Sequence, residues 1–580
     1  MSDATKPIRT VPTRAEALVF RVKTFLLQCR RVAMDNLRFQ VSKFERSDRL
    51  VNEKVISESR TPLWTETDPA ERLLVAGKIN NLRVAVRGLD GIEIPAGEVF
   101  SFWKHIGRSS RFRGYVPGRE LREGCIIPNV GGGLCQLSNA LYDAALDAGL
   151  DIVERHAHTQ VIAGSLAEKG RDATVFWNYV DLRFRSAHPF RIDAKLDAHD
   201  LHVRFRGSRN DKVKLHELSR ELLNFDEPRS CATCEMDCHR VITKPSTEDF
   251  GRTAFLVDDV WPEFDSYIQK VRTKNDLLLV PLDGKRFKKT NYAWDRKGFD
   301  YVRQSLLTTA VRSYRSRKLA AQGAARQQNL LGMYEKLAAS YARRLKYDVL
   351  HIVVYQNLLP FLWHDGHLGG RTFDVLMTSL PMNELQRTLD TAAKLHPRST
   401  TLGDFRAESW LVDAEADALK HASKLITPHT YIASHFGERA ELIDWQMPDR
   451  KERTAPKNDK PVVVFPASTV GRKGCYELRE AIRGLDIKLL TLGPCIESPG
   501  FWDGFDTDRG GEDWMNQADL VVLPAHVEHR PRRLLTAAAN GIPVIATENC
   551  GVSGIKGIDV VSAGNADELR LAISARLSAR

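Results

Sequence analysis

The chain has 580 residues, with 85 lysines and arginines against 74 aspartates and glutamates, so its net charge is +11. At roughly 150 residues per domain, this length predicts about three or four domains. A hydrophobic share of 43% excludes a wholly disordered chain, and nine cysteines are too sparse for a small disulfide scaffold.

Residues 1–60 form a basic arm that carries 13 basic and seven acidic residues, a net charge of +6. Such an excess favours an anionic partner: a membrane surface, a nucleic acid or an acidic polymer. Apolar residues at helical spacing predict an amphipathic helix with a basic opposite face; they are Leu18, Val22, Phe25, Leu26 and Cys29. This helix is expected either on an anionic leaflet or docked on the body of the protein.

No apolar run is long enough for a membrane span or an export signal, because cations interrupt the longest one near the start. We therefore expect a cytoplasmic protein with reduced thiols. Peripheral binding to the inner face of the membrane through the arm is the alternative.

Residues 61–247 have the pattern of a mixed α+β domain. Residues 92–102 alternate around a Pro-Ala-Gly turn and predict a hairpin. Residues 134–148 predict a helix that buries one face, formed by Leu137, Leu141, Ala144, Ala145 and Ala148. Further strands are predicted at 174–177, 182–185, 190–194 and 201–205.

From about residue 248 the pattern becomes an alternation of strands and helices, including a long helical stretch over 312–346. Such alternation predicts parallel sheets with right-handed crossovers. We expect two Rossmann-like domains, at 248–447 and 461–580, joined by a charged linker at 448–460. Ligands usually bind in the cleft between two such domains.

Three consecutive glycines, 131–133, lead into the predicted helix, whose first residues include Cys135. A helix N-terminus favours a thiolate, and glycines allow backbone amides to approach a substrate oxygen closely. His158 and Asp172 follow, so the three side chains could act as nucleophile, base and base-orienting carboxylate. The alternative is a small buried thiol at a helix start, with histidines bonded to the backbone.

These residues resemble the VanW family, named for an accessory protein of vancomycin-resistance clusters. The matching segments include Pro95–Phe102, the Gly-Gly-Gly-Leu-Cys-Gln block at 131–136, Glu154–His158 and Asp172–Val175. The resemblance covers roughly residues 65–240 and implies a VanW-like α+β module. The roles given above to Cys135, His158 and Asp172 are our own hypothesis.

A cysteine cluster follows the module: Cys231, Cys234, Cys238 and His239. These soft ligands suit zinc or part of an iron–sulfur site. Because the adjacent Cys238 and His239 cannot easily both reach one metal, we expect three thiolates with His239 or an outside fourth ligand. A redox pair and a reduced, metal-free loop are the alternatives.

The last domain carries features of a nucleotide-sugar site. Gly471, Arg472 and Lys473 lie between a strand and a helix, where backbone amides and two cations would hold a diphosphate. Glu528 follows a later strand, and a carboxylate at such a junction can bind ribose hydroxyls.

This domain resembles the C-terminal half of GT-B glycosyltransferases, of the GT4-like type, at 471–474, 518–519, 523–524, 528 and 538–546. The resemblance implies a UDP- or GDP-linked sugar as donor. Such enzymes often carry two glutamates eight positions apart in this region. Glu528 matches the first, whereas Thr536 stands at the second position.

The fold prediction is therefore an α/β multidomain protein: a mixed α+β VanW-like module followed by two Rossmann-like domains in a GT-B arrangement. The predicted function is sugar transfer from a nucleotide-sugar donor to a cell-envelope-related acceptor, with no nucleic acid as partner. One alternative is a Cys135-dependent acyl or amide enzyme with a ligand-binding α/β pair. The other is a non-catalytic scaffold that binds sugar nucleotides.

Overall fold

The computed structural model describes residues 14–37, 41–122, 125–158, 165–177, 179–209, 229–230, 250–317, 324–404, 406–451, 453 and 458–579. The chain forms two compact units. The first comprises Met1–Gly251, Lys346–Leu350 and Asp365–Arg371, and the second comprises Arg252–Leu345, His351–His364 and Thr372–Arg580.

The first unit combines helices with small sheets that are mostly antiparallel. Its helices are α1 (Arg14–Leu37), α2 (Pro69–Val86), α3 (Phe102–Ile106) and α4 (Leu134–Asp147). Its strands are β1 (Val55–Pro62), β2 (Ile92–Ile94), β3 (Val99–Ser101), β4 (Pro117–Arg122), β5 (Cys125–Val130), β6 (Asp151–Glu154), β7 (Arg183–Arg185), β8 (Phe190–Leu196), β9 (Asp200–Gly207) and β10 (Arg229–Ser230). They form three sheets, in the orders β1-β9-β8-β2, β3-β7-β6 and β10-β5-β4.

The predicted helix after the glycines is confirmed as α4. All five residues of its predicted apolar face are fully buried, and the chain leaves the helix through Gly149 at φ +73°. The helix packs against β1 and β9. A continuous apolar stripe at helical spacing was therefore sufficient to predict both the helix and the face that it buries.

The predicted hairpin over 92–102 is wrong, because its two strands belong to different sheets. β2 pairs with β8, whereas β3 pairs with β7. The Gly97 amide between them donates to the Ser186 carbonyl at 2.7 Å instead of closing a hairpin. Each short strand buries its apolar side chains by pairing with a strand far along the chain, which local alternation cannot reveal.

The second unit contains two sheets. The strands of the first are β11 (Arg252–Leu256), β12 (Leu277–Val280), β13 (Tyr301–Gln304), β14 (Val349–Tyr355), β15 (Thr372–Leu376), β16 (Lys424–Thr427) and β17 (Ala440–Leu442). Its helices are α5 (Pro262–Val271), α6 (Leu306–Arg317), α7 (Ala324–Ala342), α8 (Leu359–His364), α9 (Met382–Leu395), α10 (Ser409–His421) and α11 (Thr430–Ser434). The strand order is β13-β12-β11-β14-β15-β16-β17.

The single long helix predicted over 312–346 is wrong in its bounds, since α6 and α7 are separate helices packed against each other. Two helices that pack together bury more apolar surface than one extended helix would.

The second sheet of this unit contains β18 (Val462–Phe465), β19 (Lys488–Thr491), β20 (Thr507–Arg509), β21 (Leu520–Leu523), β22 (Val544–Thr547) and β23 (Ile558–Val561). Its helices are α12 (Cys475–Ala481), α13 (Trp514–Gln517), α14 (Arg532–Ala539) and α15 (Ala566–Ser578). All strand pairs are parallel, in the order β20-β19-β18-β21-β22-β23.

The central strands β18, β21 and β22 are buried along their whole length. Apolar runs without alternation are typical of strands covered on both faces by helices. The strand order reverses between β18 and β21, and such a switch point opens a crevice at the carboxyl ends of the strands. The predicted class, an α+β module followed by two Rossmann-like sheets, is confirmed.

Candidate functional sites

The glycine turn before α4 is held closely against its surroundings. Gly131 and Gly133 have φ values of +84° and +97°, which favour glycine. A Cβ on Gly132 would lie 2.4 Å from the Gly118 carbonyl oxygen, so the backbones approach too closely for any side chain. The glycines therefore fix the position at which α4 begins and at which Cys135 projects.

The Cys135 thiol is partly buried in the first turn of α4. Its Sγ lies 3.9 Å from Thr174 Oγ1 and 3.9 Å from the Val175 carbonyl oxygen. Burial opposes ionisation, but a hydrogen bond with His158 and the charge of its ring outweigh it, so the pKa of Cys135 is lowered.

His158 is held on its other side by Asp172. The Asp172 Oδ2 atom accepts from the His158 backbone N–H at 2.7 Å and lies 3.1 Å from the ring Nδ1. Burial disfavours the imidazolium, but the bonds to Asp172 and Cys135 raise the pKa of His158 to about 10. The structure thus brings together the three residues predicted for thiol chemistry. His156, the other histidine of the motif, is exposed and lies 3.5 Å from Glu154.

Arg155 is a member of this cluster that sequence reasoning missed. Its Nη2 donates to Asp172 Oδ1 at 2.8 Å and its Nε to the Asp172 carbonyl at 2.7 Å. Burial opposes the carboxylate of Asp172, but the bonds from His158 and the charge of Arg155 lower its pKa. The signal was present in the sequence, since Arg155 lies between the two ends of the Glu154–His158 motif.

The strand predicted over 174–177 is wrong. An isolated bridge, Phe176 to Val180, is the only β-pairing of this segment in the described part of the chain. Polar side chains of α4 bond the backbone of the residue just before it: Asn139 accepts from the Ala173 N–H at 2.8 Å, and Ser138 donates to the Ala173 carbonyl at 2.5 Å. Thr174 and Val175 follow, and each has an oxygen 3.9 Å from the Cys135 Sγ.

The second unit has a cavity of about 350 Å³ at the carboxyl ends of β18 and β21. Five cationic side chains and one carboxylate line it, a net charge of +4: Arg472, Lys473, Arg530, Arg532, Arg533 and Glu528. A cationic crevice at a topological switch point suits an anionic ligand.

Lys473 and Glu528 form an ion pair in the wall of this cavity, 2.8 Å between Nζ and Oε2. The other carboxylate oxygen, Oε1, accepts from the Arg530 backbone N–H at 2.9 Å. Burial opposes the charged carboxylate, but the Lys473 ammonium lowers the pKa of Glu528 to about 2. For the Lys473 ammonium, burial lowers the pKa despite the attraction of Glu528.

Three of the four predicted donor-binding residues thus line the cavity, and Gly471 does not. The Gly471 amide donates to Thr401 Oγ1 and to Glu497 Oε2, each at 2.9 Å. That amide is therefore already bonded and has a structural role. Sequence reasoning missed Glu497, whose carboxylate also accepts from the Tyr476 hydroxyl at 2.8 Å.

At the position of the second glutamate, Thr536 donates its hydroxyl to the Arg532 carbonyl at 2.8 Å within α14. Among the described residues that line the cavity, Glu528 is the only carboxylate. The predicted metal ligands Cys231, Cys234, Cys238 and His239 lie outside the described residues.

Helix α1 exposes its apolar face. Leu18, Phe25 and Leu26 are 62%, 63% and 61% exposed. The polar face contacts the rest of the first unit instead, through an ion pair of Arg31 with Glu154 and another of Asp35 with Arg183, 2.6 Å long. Among the described helices, none has the length and apolarity needed to cross a membrane.

Comparisons with known proteins agree with the resemblance to the VanW family. Residues 77–206 match the family model described as VanW like protein. The uncharacterized protein YoaR of Bacillus subtilis is 36% identical over 118 residues, 20% of this chain and 38% of the relative. The vancomycin B-type resistance protein VanW of Enterococcus faecalis is 29% identical over 138 residues, 23% of this chain and 49% of the relative. The chain thus spans less than half the length of either relative.

Solved structures of glycosyltransferases are similar to part of the chain. The sucrose-phosphate synthase of Thermosynechococcus elongatus has a TM-score of 0.36 and 14% identity, over 57% of this chain and 90% of that chain. HepE of Anabaena, in complex with UDP, has a TM-score of 0.34 and 14% identity, over 56% and 90%. The lipopolysaccharide outer core galactosyltransferase WaaB has a TM-score of 0.35 and 12% identity, over 57% and 90%.

Proposed function

We propose that this chain, in which residues 77–206 are a VanW domain, uses its second unit to transfer a sugar from a nucleotide donor. The donor is a UDP- or GDP-linked sugar, and the acceptor is an envelope-related molecule. The observation that carries the proposal is the cavity with a net charge of +4 at the switch point of the second Rossmann-like sheet.

The charges in this cavity suit the chemistry of a nucleotide-sugar donor. When the bond between the sugar and the diphosphate breaks, negative charge builds up on the leaving oxygen. Arg472 and Lys473 line the cavity and would neutralise that charge. Cations that are already in position in a partly buried site stabilise such a charge more than cations in water do. Glu528, held ionised by Lys473, would accept hydrogen bonds from donor hydroxyls.

Ligand binding to the full-length protein tests this proposal. We expect UDP- or GDP-sugars to raise the melting temperature, because a ligand at 100 times its dissociation constant stabilises the folded state by about 2.7 kcal/mol. Arg472→Ala should abolish the shift. Arg509→Ala removes an exposed arginine from β20, outside the cavity, and should retain it. No shift with any nucleotide sugar would refute the donor site.

A second function is favoured by the geometry around Cys135. We propose that this thiol carries out acyl or amide chemistry in the first unit. The thiolate would attack a carbonyl carbon to form a thioester, and His158 would give its proton to the leaving amine as the carbon–nitrogen bond breaks. A second nucleophile, an amine or water, would then release the acyl group and restore the thiol. Asp172 orients the ring throughout.

Alkylation distinguishes an activated thiol from a structural one. We expect Cys135 to react with iodoacetamide at pH 7 faster than a free thiol, because its pKa is lowered. Cys29 and Cys495 are exposed thiols of the same chain and serve as internal references. Peptide mass spectrometry measures the labelling rate of each cysteine. Equal rates for all three would refute the activated thiolate.

The exposed apolar face of α1 supports a third proposal, that the arm binds an anionic membrane surface. The stripe formed by Leu18, Val22, Phe25 and Leu26 is exposed, and Lys23 and Arg30 are exposed on the same helix. Apolar side chains would enter the headgroup boundary while the cations contact lipid phosphates. The cysteine cluster at 231–239 remains a predicted metal site.

A further inference from the structure

Two histidines and one glutamate that neither candidate function uses lie together, and both histidines contact the same carboxylate oxygen. His396 follows α9, Glu477 lies in α12, and His526 follows β21. Glu477 Oε1 lies 2.6 Å from His396 Nε2 and 2.8 Å from His526 Nε2. The group therefore joins residues from before and after the predicted linker at 448–460.

The second oxygen of this carboxylate points to a missing ligand. Glu477 is 3% exposed and His526 is 4% exposed. Glu477 Oε2 is buried and has no hydrogen-bond partner in the described part of the structure. A buried carboxylate oxygen without a donor is unfavourable, so it needs a physical explanation. A cation bound between the carboxylate and the two imidazoles provides one.

The two rings are also oriented by contacts other than those with Glu477. The His396 ring stacks on Tyr476 with 4.5 Å between centroids and 10° between planes. The His526 carbonyl accepts from Asn549 Nδ2 at 2.7 Å, which fixes the backbone of that residue. Both Nε2 atoms are therefore held toward the same point, as a preorganised ligand set requires.

We propose that His396, Glu477 and His526 bind one zinc ion through two imidazole Nε2 atoms and the carboxylate. Two imidazoles and one carboxylate suit zinc, whereas magnesium and calcium prefer oxygen ligands alone. Three protein ligands leave a fourth, tetrahedral position for water or an outside ligand.

Zinc binding requires only small movements of these side chains. Zinc–ligand distances of roughly 2.0–2.1 Å place tetrahedral ligand atoms about 3.3 Å apart. The Nε2 and Oε1 atoms are 2.6 and 2.8 Å apart, so they separate by about half an ångström, and a bidentate carboxylate brings the unpartnered Oε2 onto the same ion. Each neutral imidazole moves its N–H from Nε2 to Nδ1, and the metal replaces the two hydrogen bonds. The bound ion would tie α9 to α12 and thereby stabilise the second unit.

Cobalt titration of the full-length protein tests this site and separates it from the cysteine cluster. Cobalt(II) at a site with two histidines and one carboxylate gives visible ligand-field bands without a thiolate charge-transfer band in the near ultraviolet. Thiolate ligation at residues 231–239 would add that band. We expect one equivalent of cobalt to give the visible bands alone, and zinc to displace it.

Substitutions assign the bands to residues. His396→Ala, at a side chain that is 20% exposed, and Glu477→Gln should each weaken cobalt affinity about 100-fold or more. His202→Ala is the matched control, because it removes a histidine from a separate group with Asp197 and Asp200. Unchanged visible bands in His396→Ala and Glu477→Gln would overturn the proposal, and so would cobalt binding only with the thiolate band.

Discussion

Asp172 binds His158 twice through one oxygen, Oδ2, which accepts from the backbone N–H at 2.7 Å and lies 3.1 Å from the ring Nδ1. The backbone bond fixes the position of the residue and the ring bond fixes its rotation. With Nδ1 engaged by Asp172, Nε2 is the nitrogen available to the Cys135 thiol. The reactivity of the thiol therefore depends on a carboxylate whose effect passes through the imidazole.

Asp172→Asn should slow alkylation of Cys135 at pH 7. Without the carboxylate, the pKa of His158 falls from about 10 and the pKa of Cys135 rises toward its ordinary value of 9.0. Each unit by which the thiol pKa rises above neutral pH lowers the thiolate fraction, and hence the rate, about tenfold. Iodoacetamide labelling from pH 6 to pH 11 measures this effect.

The same pH profile contains its own control. At alkaline pH the thiol ionises in both proteins, so the difference between their rates should narrow as the pH rises. His156→Ala removes the exposed histidine of the same motif and should behave as the wild type. A rate for Asp172→Asn that stays low at every pH would indicate disrupted packing and contradict the electrostatic role.

The sequence predicted those parts of the molecule in which neighbouring residues carry the signal. Helix α4, the parallel strands of the second unit and the Cys135, His158 and Asp172 cluster all follow local patterns or compact motifs. The apolar stripe of α1 was also visible, but not which face would contact the protein. Ion pairs of Arg31 and Asp35 with distant residues decide that orientation.

Long-range contacts account for what the sequence could not reveal. Residues 92–102 alternate as a hairpin does, yet each half pairs with a strand 82–100 positions away. Glu497 lies in a segment without any motif, and its role arises from bonds to Thr401, Gly471 and Tyr476. No periodicity or spacing records such contacts, because they depend on how whole elements pack.

Glu528→Gln should destabilise the second unit at neutral pH and much less in acid. The substitution leaves the part-buried Lys473 ammonium without its carboxylate, at a cost below the about 3–5 kcal/mol typical of a fully buried pair. The folded-state pKa of Glu528 is lowered to about 2 from 4.5. Its stabilisation is therefore fully present above pH 4.5 and is lost as the pH falls toward 2.

Unfolding of wild type and Glu528→Gln between pH 7 and pH 3 measures this dependence. Glu480→Gln is a suitable control, because that carboxylate is 59% exposed and pairs with Arg483 on the surface of the same domain. An exposed pair contributes only about 0–1 kcal/mol, so the control should match the wild type. If Glu528→Gln lowers the free energy of unfolding by the same amount at pH 7 and at pH 3, the ion-pair explanation is contradicted.

Glu497→Gln should lower stability without removing the cationic cavity. One carboxylate accepts from Thr401 Oγ1 at 2.5 Å, from the Gly471 N–H at 2.9 Å and from the Tyr476 hydroxyl at 2.8 Å. The glutamine side chain has one acceptor oxygen where the glutamate has two. Hydrogen bonds to a charged group contribute about 1.5–3 kcal/mol each. We expect a loss of about 2–4 kcal/mol by urea denaturation.

Nucleotide-sugar binding by the same variant separates stability from ligand contact. Because Glu497 does not line the cavity, Glu497→Gln should keep its melting-temperature shift at temperatures where it is folded. Loss of the shift together with unchanged stability would show that Glu497 acts on the ligand instead.

Phe25→Glu combined with Leu26→Glu should abolish binding to anionic vesicles while leaving the fold intact. Both side chains are more than 60% exposed, so their replacement removes no core packing. The new carboxylates oppose entry into the apolar boundary and are repelled by anionic lipid.

Leu571→Glu, which places a charge on an exposed residue of α15, is the matched control. Cosedimentation with phosphatidylserine and phosphatidylcholine vesicles measures the binding of each protein. We expect the wild type to bind only the anionic phosphatidylserine vesicles. If the double variant sediments with these vesicles as fully as the wild type, α1 is excluded as the membrane contact.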